Sequence, residues 1–383
     1  MAVPADLVIP ARTAAELAEI LSLDGLLSAS FPSGEFPVDV VRLRGSASPP
    51  ITLSRARRAE SLRTLPATLR ARVEGALARS DRCPAALRLA RAVPLALTGT
   101  PAVMGVLNVT PDSFSDGGLY RDPAAAVARG LEMFAEGAAV VDVGGESTRP
   151  ATYGSAREVS AEEELDRVAP VIEALRRQTD RPLSIDTRRA AVAAAALDLG
   201  ANIVNDVSAL RHDPSMAGLV AGRGAALLLM HMKGDDPRTM QKDVSYDHAI
   251  ADVAEVLAAA ADRAITAGVA PDALAIDPGL GFGKSAEGNL LLLRHLAAFR
   301  SLGFPVAIGA SRKGFVRKFS GVPDAASSAE RLPGSLACAA AAADAGAALV
   351  RVHDVAETVR YLRMRDAIRT PAQRTAAAAA PAR

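Results

Sequence analysis

The sequence predicts an α/β protein built on a (β/α)8 TIM barrel, with an extra small N-terminal region. From about residue 97 to residue 369, short apolar runs alternate with helical segments, and eight such pairs follow one another. Eight β-then-α units over roughly 270 residues have the size and rhythm of a closed parallel barrel. A doubly wound sheet is the competing architecture, but eight units without a long interruption favour closure.

The strand candidates are short aliphatic runs, each followed by polar or glycine-rich sequence. They are Ala102–Leu107, Ala139–Val143, Leu183–Ile185, Ile203–Val204, Ala226–Met230, Leu274–Ile276, Val306–Ile308 and Leu349–Val352. Helices are predicted between them. A capping box at Ser160–Glu163 marks one helix start, and Asp213-Pro214 predicts an N-cap followed by proline at the first helical position.

Three regions of different composition divide the chain. Residues 1–95 are an N-terminal extension of unknown role that is partly helical, and residues 96–369 are the barrel. A capping box at Thr13–Glu16 predicts a short helix that ends near Leu23. Residues 370–383 consist mostly of Ala, Pro, Gln and Arg, so we expect a disordered tail that cannot bury enough apolar surface to become ordered.

The N-terminal extension contains a strongly basic stretch. Between Arg55 and Arg91, ten arginines face three acidic residues, a local net charge of +7. Leucine and valine recur there at helical spacing, which predicts an amphipathic helix. They are Leu62, Leu65, Leu69, Val73 and Leu77. A basic helix can contact RNA or lipid, but it more often presents a solvated face, and the second interpretation is favoured.

The overall composition excludes several classes of protein. Half of the 383 residues are hydrophobic, which suffices for one large core and a small annex, and the net charge is only +1. That balance provides no general attraction to nucleic acid or to an anionic membrane. Two cysteines, Cys83 and Cys338, indicate a reducing compartment, so we expect a cytoplasmic protein. No apolar run has the length of a membrane span, and the N-terminus lacks the apolar segment of a signal peptide.

Polar residues follow nearly every predicted strand, where a barrel of this kind places its active site. They include, in chain order, Asn108, Glu146, Asp186, Asn205, His231, Asp277, Lys313 and Arg351. A single such aspartate is often only a helix N-cap. Eight polar strand ends in register are different, because converging buried charges cost desolvation energy unless a ligand pairs with them.

Two kinds of ligand chemistry are indicated. Asp186, Asn205, Asp277 and Lys313 suit a flat heterocycle with several donors and acceptors, because a carboxylate can accept two hydrogen bonds from an amino-pyrimidinone edge. The loops after the seventh and eighth strands often bind phosphate in this fold. Here those loops carry Ser311, Arg312, Lys313, Arg351 and His353, which predicts a phosphorylated ligand.

Several familiar motifs are absent on inspection. Gly283-Lys284-Ser285 lacks the first glycine of a P-loop, because position 278 is Pro278. The glycines at 279, 281 and 283 do not have dinucleotide-binding spacing. Gly314 falls one place too late for a nucleophile elbow at Ser311. His231 and His353 lack zinc-ligand spacing.

The strand-end segments together resemble one family, the dihydropteroate synthases. Met104–Gly118 resembles the first signature of that family and Asp142–Pro150 the second. Further segments are similar in the expected order, namely Ser184–Thr187, Asn205–Ser208, Leu229–Met232, Asp277–Lys284, Ser311–Lys313 and Arg351–Asp354. The resemblance implies a TIM-barrel transferase of folate synthesis that condenses 6-hydroxymethyl-7,8-dihydropterin pyrophosphate with p-aminobenzoate.

The resemblance also implies roles for individual residues. Asp186, Asn205, Asp277 and Lys313 would be the catalytic group around the pterin, together with Met230. Asn108 would ligate a Mg²⁺ that holds the pyrophosphate, whose oxygens Arg351 and His353 would contact. The p-aminobenzoate pocket would be formed by Phe114, Thr148, Arg149, Pro150, Phe282 and Ser311. By the same resemblance the protein would be a homodimer. The small net charge predicts no nucleic-acid or membrane partner.

Two departures and two rival interpretations accompany the resemblance. Ala151 stands where the family usually has glycine, which affects the shape of the second loop, and residues 1–95 have no counterpart in the resemblance. One rival is a pterin-binding methyltransferase, which would not be expected to combine Ser311–Lys313 with Thr148–Pro150. The other is a non-catalytic pterin-binding paralogue, against which no site residue carried over by the resemblance is substituted.

Overall fold

The computed structural model describes residues 6–11, 20, 38–42, 51–55, 58–81, 84–97, 99–110, 123–146, 159–324 and 327–369. Its β-strands are β1 (Leu7–Ala11), β2 (Val38–Arg42), β3 (Ile51–Ser54), β4 (Ala86–Leu87), β5 (Leu95–Ala96), β6 (Ala102–Asn108), β7 (Val140–Gly144), β8 (Leu183–Asp186), β9 (Ile203–Asp206), β10 (Ala226–Met230), β11 (Leu274–Asp277), β12 (Ala307–Ile308) and β13 (Leu349–Val352). Strands β6 to β13 form one parallel sheet in the order β11-β10-β9-β8-β7-β6-β13-β12. A parallel bridge between Ile276 and Val306 joins its two ends, so the predicted barrel is confirmed.

Helices alternate with these strands and cover the outside of the barrel. They are α1 (Arg58–Arg63), α2 (Ala67–Asp81), α3 (Pro123–Glu136), α4 (Ala161–Arg176), α5 (Ala190–Asp198), α6 (Met216–Arg223), α7 (Ala249–Thr266), α8 (Ala286–Arg294), α9 (Gly314–Ser320), α10 (Leu332–Asp344) and α11 (Val355–Arg369). Short 3-10 segments occur at Met240–Lys242, Pro271–Ala273, Leu296–Leu302 and Ser328–Arg331. None of the helices in the described ranges is long and apolar enough to cross a membrane.

All eight predicted barrel strands are present, but several continue one or two residues beyond the apolar run. Asn108, Gly144, Asp186 and Asp277 are the last residues of their strands, and β9 continues through Asn205 to Asp206. The reason is that ladder pairing uses the backbone and is indifferent to side-chain polarity. Asn108 pairs with Gly144, Gly144 with Asp186, and Asp186 with Asn205, so the polar residues form one row across the sheet.

A short hairpin closes the end of the barrel at which its strands begin. Strands β4 and β5 pair antiparallel, with Ala86 opposite Ala96. Four leucines of this hairpin, Leu87, Leu89, Leu95 and Leu97, are buried in one cluster with residues at the amino ends of the barrel strands. Most of the hairpin lies before residue 96, the predicted start of the barrel region, but by its packing the hairpin belongs with the barrel.

Strands β1 to β3 and helix α2 add an outer layer to the barrel. Strands β1, β2 and β3 form an antiparallel sheet whose two faces are both buried. Val8, Val41 and Leu53 pack against Val73 and Leu77 of α2. The alternate residues of the same sheet, Leu7, Ile9 and Val40, belong to the main barrel core instead. The period-2 alternation of strand side chains therefore places this sheet between α2 and the barrel.

The contact of this layer with the barrel centres on the 3-10 segment Leu296–Leu302. The Val8 backbone N–H donates to Ser301 Oγ at 3.3 Å, and Arg79 Nε donates to the Ser301 carbonyl oxygen at 2.8 Å. Phe299 of this segment is completely buried in the barrel core. Polar bonds thus fix the position of the layer, while apolar burial supplies the attraction.

The amphipathic helix predicted in the basic stretch is confirmed as α1 and α2, which are separated at residues 64–66. Three arginines of the basic stretch form ion pairs within the chain. Arg58 pairs with Asp81 at 2.9 Å, Arg72 with Asp6 at 2.6 Å, and Arg88 with Asp272 at 3.1 Å. These pairs reduce the charge available to an anionic partner and favour the interpretation without RNA.

Two of the predicted helix starts can be compared with the structure. Ser160 Oγ accepts from the Glu163 N–H at 3.1 Å, which confirms the cap of α4. The assignment of Asp213-Pro214 was wrong, because α6 begins only at Met216. Asp213 Oδ2 instead accepts from the Ala190 N–H at 2.9 Å and so caps α5, a contact between loops that local sequence does not reveal. The helix predicted at residues 13–23 lies outside the described residues except for Ile20, and the tail lies wholly outside them.

Because β1 shares the barrel core, we predict that truncating it destabilises the whole protein. Leu7, which is 1% exposed, should cost about 2–5 kcal/mol when replaced by alanine, since a cavity would remain. Urea unfolding of Leu7→Ala should show one transition at a lower midpoint, whether it is followed by circular dichroism or by hydrogen exchange of barrel amides.

Val93→Ala serves as the control, because Val93 is 84% exposed. Its midpoint should stay close to that of the wild type. A separate early transition in Leu7→Ala, with unchanged barrel protection, would show that the N-terminal layer unfolds independently.

Candidate functional site

A buried group of charged side chains lies at the carboxyl ends of β7, β8, β9 and β13. Arg351 Nε donates to Asp142 Oδ2 at 2.7 Å, and Arg351 Nη2 donates to Asp186 Oδ2 at 2.6 Å. Asn205 Nδ2 donates to the same Asp142 oxygen at 3.0 Å. The Arg351 guanidinium thus joins two carboxylates from neighbouring strands, and the Asn205 amide donates to one of them.

The other oxygen of Asp142 is in a different situation. Asp142 is completely buried, and its Oδ1 has no hydrogen-bond partner among the described residues. A buried carboxylate oxygen without a donor costs free energy, and such groups in native proteins usually await a ligand, an ion or a water. The site is therefore prepared to accept donors from a bound molecule.

Glycine at position 144 keeps the neighbouring space open. A Cβ built there would lie 3.6 Å from Asn108 Oδ1 and 3.7 Å from Asp186 Oδ2. Any larger side chain at this position would fill the space between these two polar groups. The gap lies at the end of the barrel where ligands bind in this fold.

A second charged group lies on the other side of the barrel mouth. Asp277 Oδ1 accepts from the Gly279 N–H at 2.7 Å. Lys313 Nζ donates to the Leu280 carbonyl oxygen and lies 4.6 Å from the centre of the Phe282 ring. Phe282 and the Lys313 ammonium therefore form one wall, with an apolar face beside a donor.

The buried charges of the barrel mouth act on one another. The carboxylates of Asp142, Asp186 and Asp277 lie near the cations Arg351, Lys313 and Lys284. Burial raises the pKa of Asp186 to about 7, with Arg351 opposing the rise and Asp142 adding to it. Burial also raises the pKa of Asp277 and lowers that of Lys313 to about 8. Near neutral pH the site can therefore take up or release a proton as a ligand binds.

Ser311 and His353 are joined across the loops after β12 and β13. Ser311 Oγ lies 3.1 Å from His353 Nδ1, and it also accepts from the His353 backbone N–H at 3.2 Å. Arg312, which the sequence grouped with the phosphate-binding residues, instead pairs with Asp354, its Nε donating to Oδ2 at 3.0 Å. Its guanidinium is therefore directed to a neighbouring loop.

The loop after β11 is supported by residues to which the sequence analysis gave no role. Lys284 Nζ has three oxygen or nitrogen neighbours, His231 Nδ1 at 2.8 Å, Phe282 O at 3.0 Å and His231 O at 3.3 Å. Three acceptors match the three protons of an ammonium group, and burial lowers the pKa of both Lys284 and His231. Gly279, at φ +69°, passes so close that a Cβ there would lie 1.9 Å from His231 O.

Sequence reasoning also left Asp142 without a role, although it lies within the second signature segment. The available signal was a lone aspartate within a strand that is otherwise apolar, Val140–Gly144. Beyond that strand, Glu146 pairs with Arg189 at 2.7 Å, and Arg189 pairs with the fully buried Glu164 at 2.6 Å. This cluster connects the loop after β7 to the loop after β8.

The predicted site residues fall into two groups. The structure brings together those at the strand ends, which are Asn108, Asp186, Asn205, Met230, Asp277, Phe282, Ser311, Lys313, Arg351 and His353. Met230 pairs with Asp277 in the ladder between β10 and β11. Phe114, Thr148, Arg149 and Pro150 lie outside the described residues, as does Ala151. Within the described ranges, no cluster of three or more His, Cys, Asp or Glu residues could hold a metal ion by itself.

The arrangement can recognise two chemical features in one molecule. Carboxylate oxygens, an amide and an ammonium lie at the same end of the barrel, the ammonium beside an aromatic ring, and this set of groups suits a flat heterocycle with donors on one edge. Arg351, Ser311 and His353 come from the last two strands, where this fold commonly binds phosphate.

Comparison with known proteins identifies the same region of the chain. Residues 104–353 match the family model described as pterin binding enzyme. The dihydropteroate synthase of Escherichia coli strain K12 is 44% identical over 267 residues, which are 70% of this chain and 91% of that protein. The match therefore begins in β6 and ends just after β13, and it includes every strand of the barrel.

Solved structures show the same similarity. The Xanthomonas albilineans dihydropteroate synthase with 4-aminobenzoic acid is 45% identical, has a TM-score of 0.65, and covers 72% of this chain and 95% of its own. Its complex with 7,8-dihydropteroate is 43% identical, with a TM-score of 0.63, and covers 72% and 96% respectively.

We predict that Asp186 makes the stability of the protein depend on pH. Its pKa is raised to about 7 from 3.8, so the folded state binds a proton more tightly than the unfolded state does. The stabilisation from this group is complete below about pH 4 and is lost as the pH rises through 7. In Asp186→Asn, the free energy of unfolding measured in urea should fall less over that interval than in the wild type.

Asp235→Asn is the matched control, because the Asp235 side chain is 87% exposed. It should retain the wild-type slope of stability against pH. Identical slopes for the wild type and Asp186→Asn would contradict the raised pKa.

Proposed function

The chain belongs to the pterin binding enzyme family, in which its close relatives are dihydropteroate synthases, and we propose that the barrel mouth carries out their condensation. The reaction joins 6-hydroxymethyl-7,8-dihydropterin pyrophosphate to p-aminobenzoate and yields 7,8-dihydropteroate and pyrophosphate. One observation carries the assignment of the site. The buried Asp142 Oδ1, beside Asp186 and Asn205 within the matched segment, has no hydrogen-bond partner among the residues that the structure describes.

The pterin is proposed to lie between the two charged groups. Its amino-pyrimidinone edge presents several N–H donors, and the carboxylates of Asp142, Asp186 and Asp277 are the acceptors available for them. Asn205 and Lys313 supply donors for the remaining ring acceptors. Because Asp142, Asn205 and Asp277 are already almost fully buried in the folded protein, binding the ring adds little new desolvation cost for them.

The pyrophosphate is proposed to lie toward β6 and β13. Arg351 and His353 contact its oxygens, and Arg351 can do so through Nη1, because its ion pairs to Asp142 and Asp186 use Nε and Nη2. Because the pKa of Asp186 is raised to about 7, this carboxylate can take up a proton, which reduces its repulsion of a bound pyrophosphate. Both residues stand at the strand ends that commonly form a phosphate site in this fold.

The residues present also fit a magnesium ion in one specific way. Magnesium is seldom held by a cage of protein ligands, and it is usually bound by one or two protein oxygens together with substrate phosphates and water. Asn108 Oδ1 borders the open space at Gly144, and the described residues provide no larger cluster of metal ligands. A bound Mg²⁺ would neutralise charge that develops on the departing pyrophosphate.

The p-aminobenzoate pocket is proposed to lie beside Phe282 and Ser311. Phe282 offers an aromatic face for the benzoate ring, and its contact with Lys313, a proposed pterin ligand, supports a pocket adjacent to the pterin. By the family resemblance, Phe114, Thr148, Arg149 and Pro150 complete this pocket from the loops after β6 and β7.

The chemistry requires positioning more than proton abstraction. The bond between the pterin methylene carbon and the pyrophosphate oxygen breaks, and its electron pair leaves with the pyrophosphate. The electron-rich dihydropterin shares the resulting positive charge, the aniline nitrogen forms the new C–N bond, and that nitrogen then loses a proton to water or to the departing phosphate. Holding both substrates in line and excluding water are therefore the main tasks of the protein.

The wider setting of the enzyme is also part of the proposal. A homodimer and a cytoplasmic location follow from the family resemblance and from the two cysteines. The ion pairs of α1 and α2 and the small net charge support the absence of a nucleic-acid partner. No observation favours a methyltransferase or a non-catalytic paralogue.

The function is tested by counting both products at once. We expect the purified protein, given the pterin pyrophosphate, Mg²⁺ and radiolabelled p-aminobenzoate, to release pyrophosphate and incorporate label in equal amounts. Asn205→Ala and Lys313→Ala should lose nearly all turnover, because each removes a donor to the pterin ring. Binding of the pterin without turnover in the wild type, or normal rates in both variants, would overturn the assignment.

Asn108→Ala is predicted to raise the Mg²⁺ concentration needed for half-maximal rate and to weaken pyrophosphate binding. The variant loses an amide oxygen but keeps the ring contacts made by Asn205, so pterin binding in the absence of pyrophosphate should change little. Magnesium titrations of the rate and of product pyrophosphate binding check this expectation. Superimposable titrations for the variant and the wild type would remove Asn108 from the metal site.

A further inference from the structure

The loop between β12 and α9 has an unusual backbone conformation at its centre. The Lys313 N–H donates to the Ala310 carbonyl oxygen at 3.3 Å, which closes a four-residue turn. The third residue of that turn, Arg312, has φ +59°. This left-handed region favours glycine, because a Cβ there approaches the following carbonyl oxygen. Arginine at this position must be held by other contacts.

Arg312 is held at all three of its polar groups. Its side chain forms a two-point ion pair with Asp354, with Nε–Oδ2 at 3.0 Å and Nη2–Oδ1 at 2.5 Å. Its N–H donates to Ser335 Oγ at 3.0 Å, and its carbonyl oxygen accepts from Arg331 Nη1 at 2.8 Å. Both side chains of the ion pair are only 13% exposed, so solvent screens the pair weakly.

The two neighbours of Arg312 are proposed ligand residues. Ser311 Oγ contacts His353, and Lys313 Nζ lies over Phe282 beside Asp277. The φ of Arg312 fixes the relative orientation of the peptide planes on either side of it, and so it affects the directions of the Ser311 and Lys313 side chains. A change of φ at Arg312 to a negative value would rotate the adjoining peptide planes and move both side chains.

The contacts also link two adjacent loops of the barrel. Ser311 bonds to His353, and the next residues along each chain segment, Arg312 and Asp354, bond to each other. Asp354 in turn lies at the start of α11, where its carbonyl oxygen accepts from the Thr358 N–H at 3.1 Å. The position of the seventh loop is therefore fixed relative to the eighth strand and its helix.

We propose that Arg312 and Asp354 are positioning residues for the condensation, which hold the turn in its left-handed form so that Ser311 and Lys313 reach the substrates together. The inference rests on the proposed function and deepens it. The Arg312 guanidinium acts on the backbone of its own loop and does not contact substrate. Arg331 and Ser335 support the same backbone from the start of α10.

A matched pair of substitutions separates this role from a simple loss of charge. Arg312→Gly and Arg312→Ala both remove the guanidinium and leave Asp354 without its partner. Glycine adopts φ +59° at little cost, whereas alanine does not, and both keep the backbone bonds to Ser335 and Arg331. We expect the kcat of Arg312→Gly to be on the order of tenfold above that of Arg312→Ala. We also expect Arg312→Gly to bind 7,8-dihydropteroate more tightly than Arg312→Ala does.

A second substitution gives an independent test. Asp354→Asn should lower kcat in the wild-type background but have little further effect in Arg312→Gly, where the turn no longer needs the ion pair. Melting temperatures of all variants show whether each protein is folded. Equal kcat and equal product affinity for the glycine and alanine variants, or equal effects of Asp354→Asn in both backgrounds, would overturn the proposal.

The two levels of the proposal can fail separately. If the wild type does not turn over, the proposed function fails. The positioning role of Arg312 and Asp354 is then tested by binding of 7,8-dihydropteroate alone. In that case Arg312→Gly should still bind the product more tightly than Arg312→Ala. If the wild type turns over normally and the glycine and alanine variants do not differ, the proposed function stands and the positioning role of Arg312 and Asp354 is wrong.

Discussion

The bridge that Arg351 makes between Asp142 and Asp186 is the interaction on which the mouth of this barrel depends. Two buried carboxylates from adjacent strands would repel each other and would resist folding without a cation between them. Arg351 reaches both carboxylates because β13 and β7 both border β6 in the closed sheet. Barrel closure thus brings the cation to the acids, and the acids in turn remain available for a ligand that supplies its own donors.

The same arrangement explains why the site is polarised without being filled. Arg351 satisfies one oxygen of each carboxylate, and the second oxygen of Asp142 has no donor among the described residues. Glycine at 144 keeps a side chain out of the adjacent gap. Stability and binding compete here in a familiar way, since a group that is fully satisfied in the free protein would have nothing to offer a substrate.

Much of the barrel could be predicted from the sequence, because apolar runs and turn signals repeat eight times. The ends of the strands could not, because hydropathy stops at the first polar residue while backbone pairing continues through it. Asn108, Asp186 and Asp277 consequently belong to strands although they looked like loop residues. Asp142 was missed for the opposite reason, since it lies inside a strand that is otherwise apolar.

Contacts between loops were beyond the reach of local patterns. Arg312 was grouped with phosphate-binding residues because it stands between Ser311 and Lys313, yet its partner is Asp354, 42 residues away. Asp213 was assigned to the helix that follows it and instead caps α5. In each case the residue type was interpreted correctly as a charge or a cap, and only the three-dimensional structure shows which group it serves.

The outer layer formed by β1 has a consequence for the order in which the protein is made. The Val8 N–H bonds to Ser301, a residue 293 positions later in the chain. Strands β6 to β11 all precede Ser301, so six of the eight barrel strands leave the ribosome before β1 can reach its place on the barrel. During that time the apolar residues Leu7 and Ile9 lack their final cover, and contacts so distant in sequence form late. Strand β1 is therefore among the last of the described strands to be buried, and its apolar residues stay uncovered on the nascent chain until synthesis has passed the sixth barrel strand.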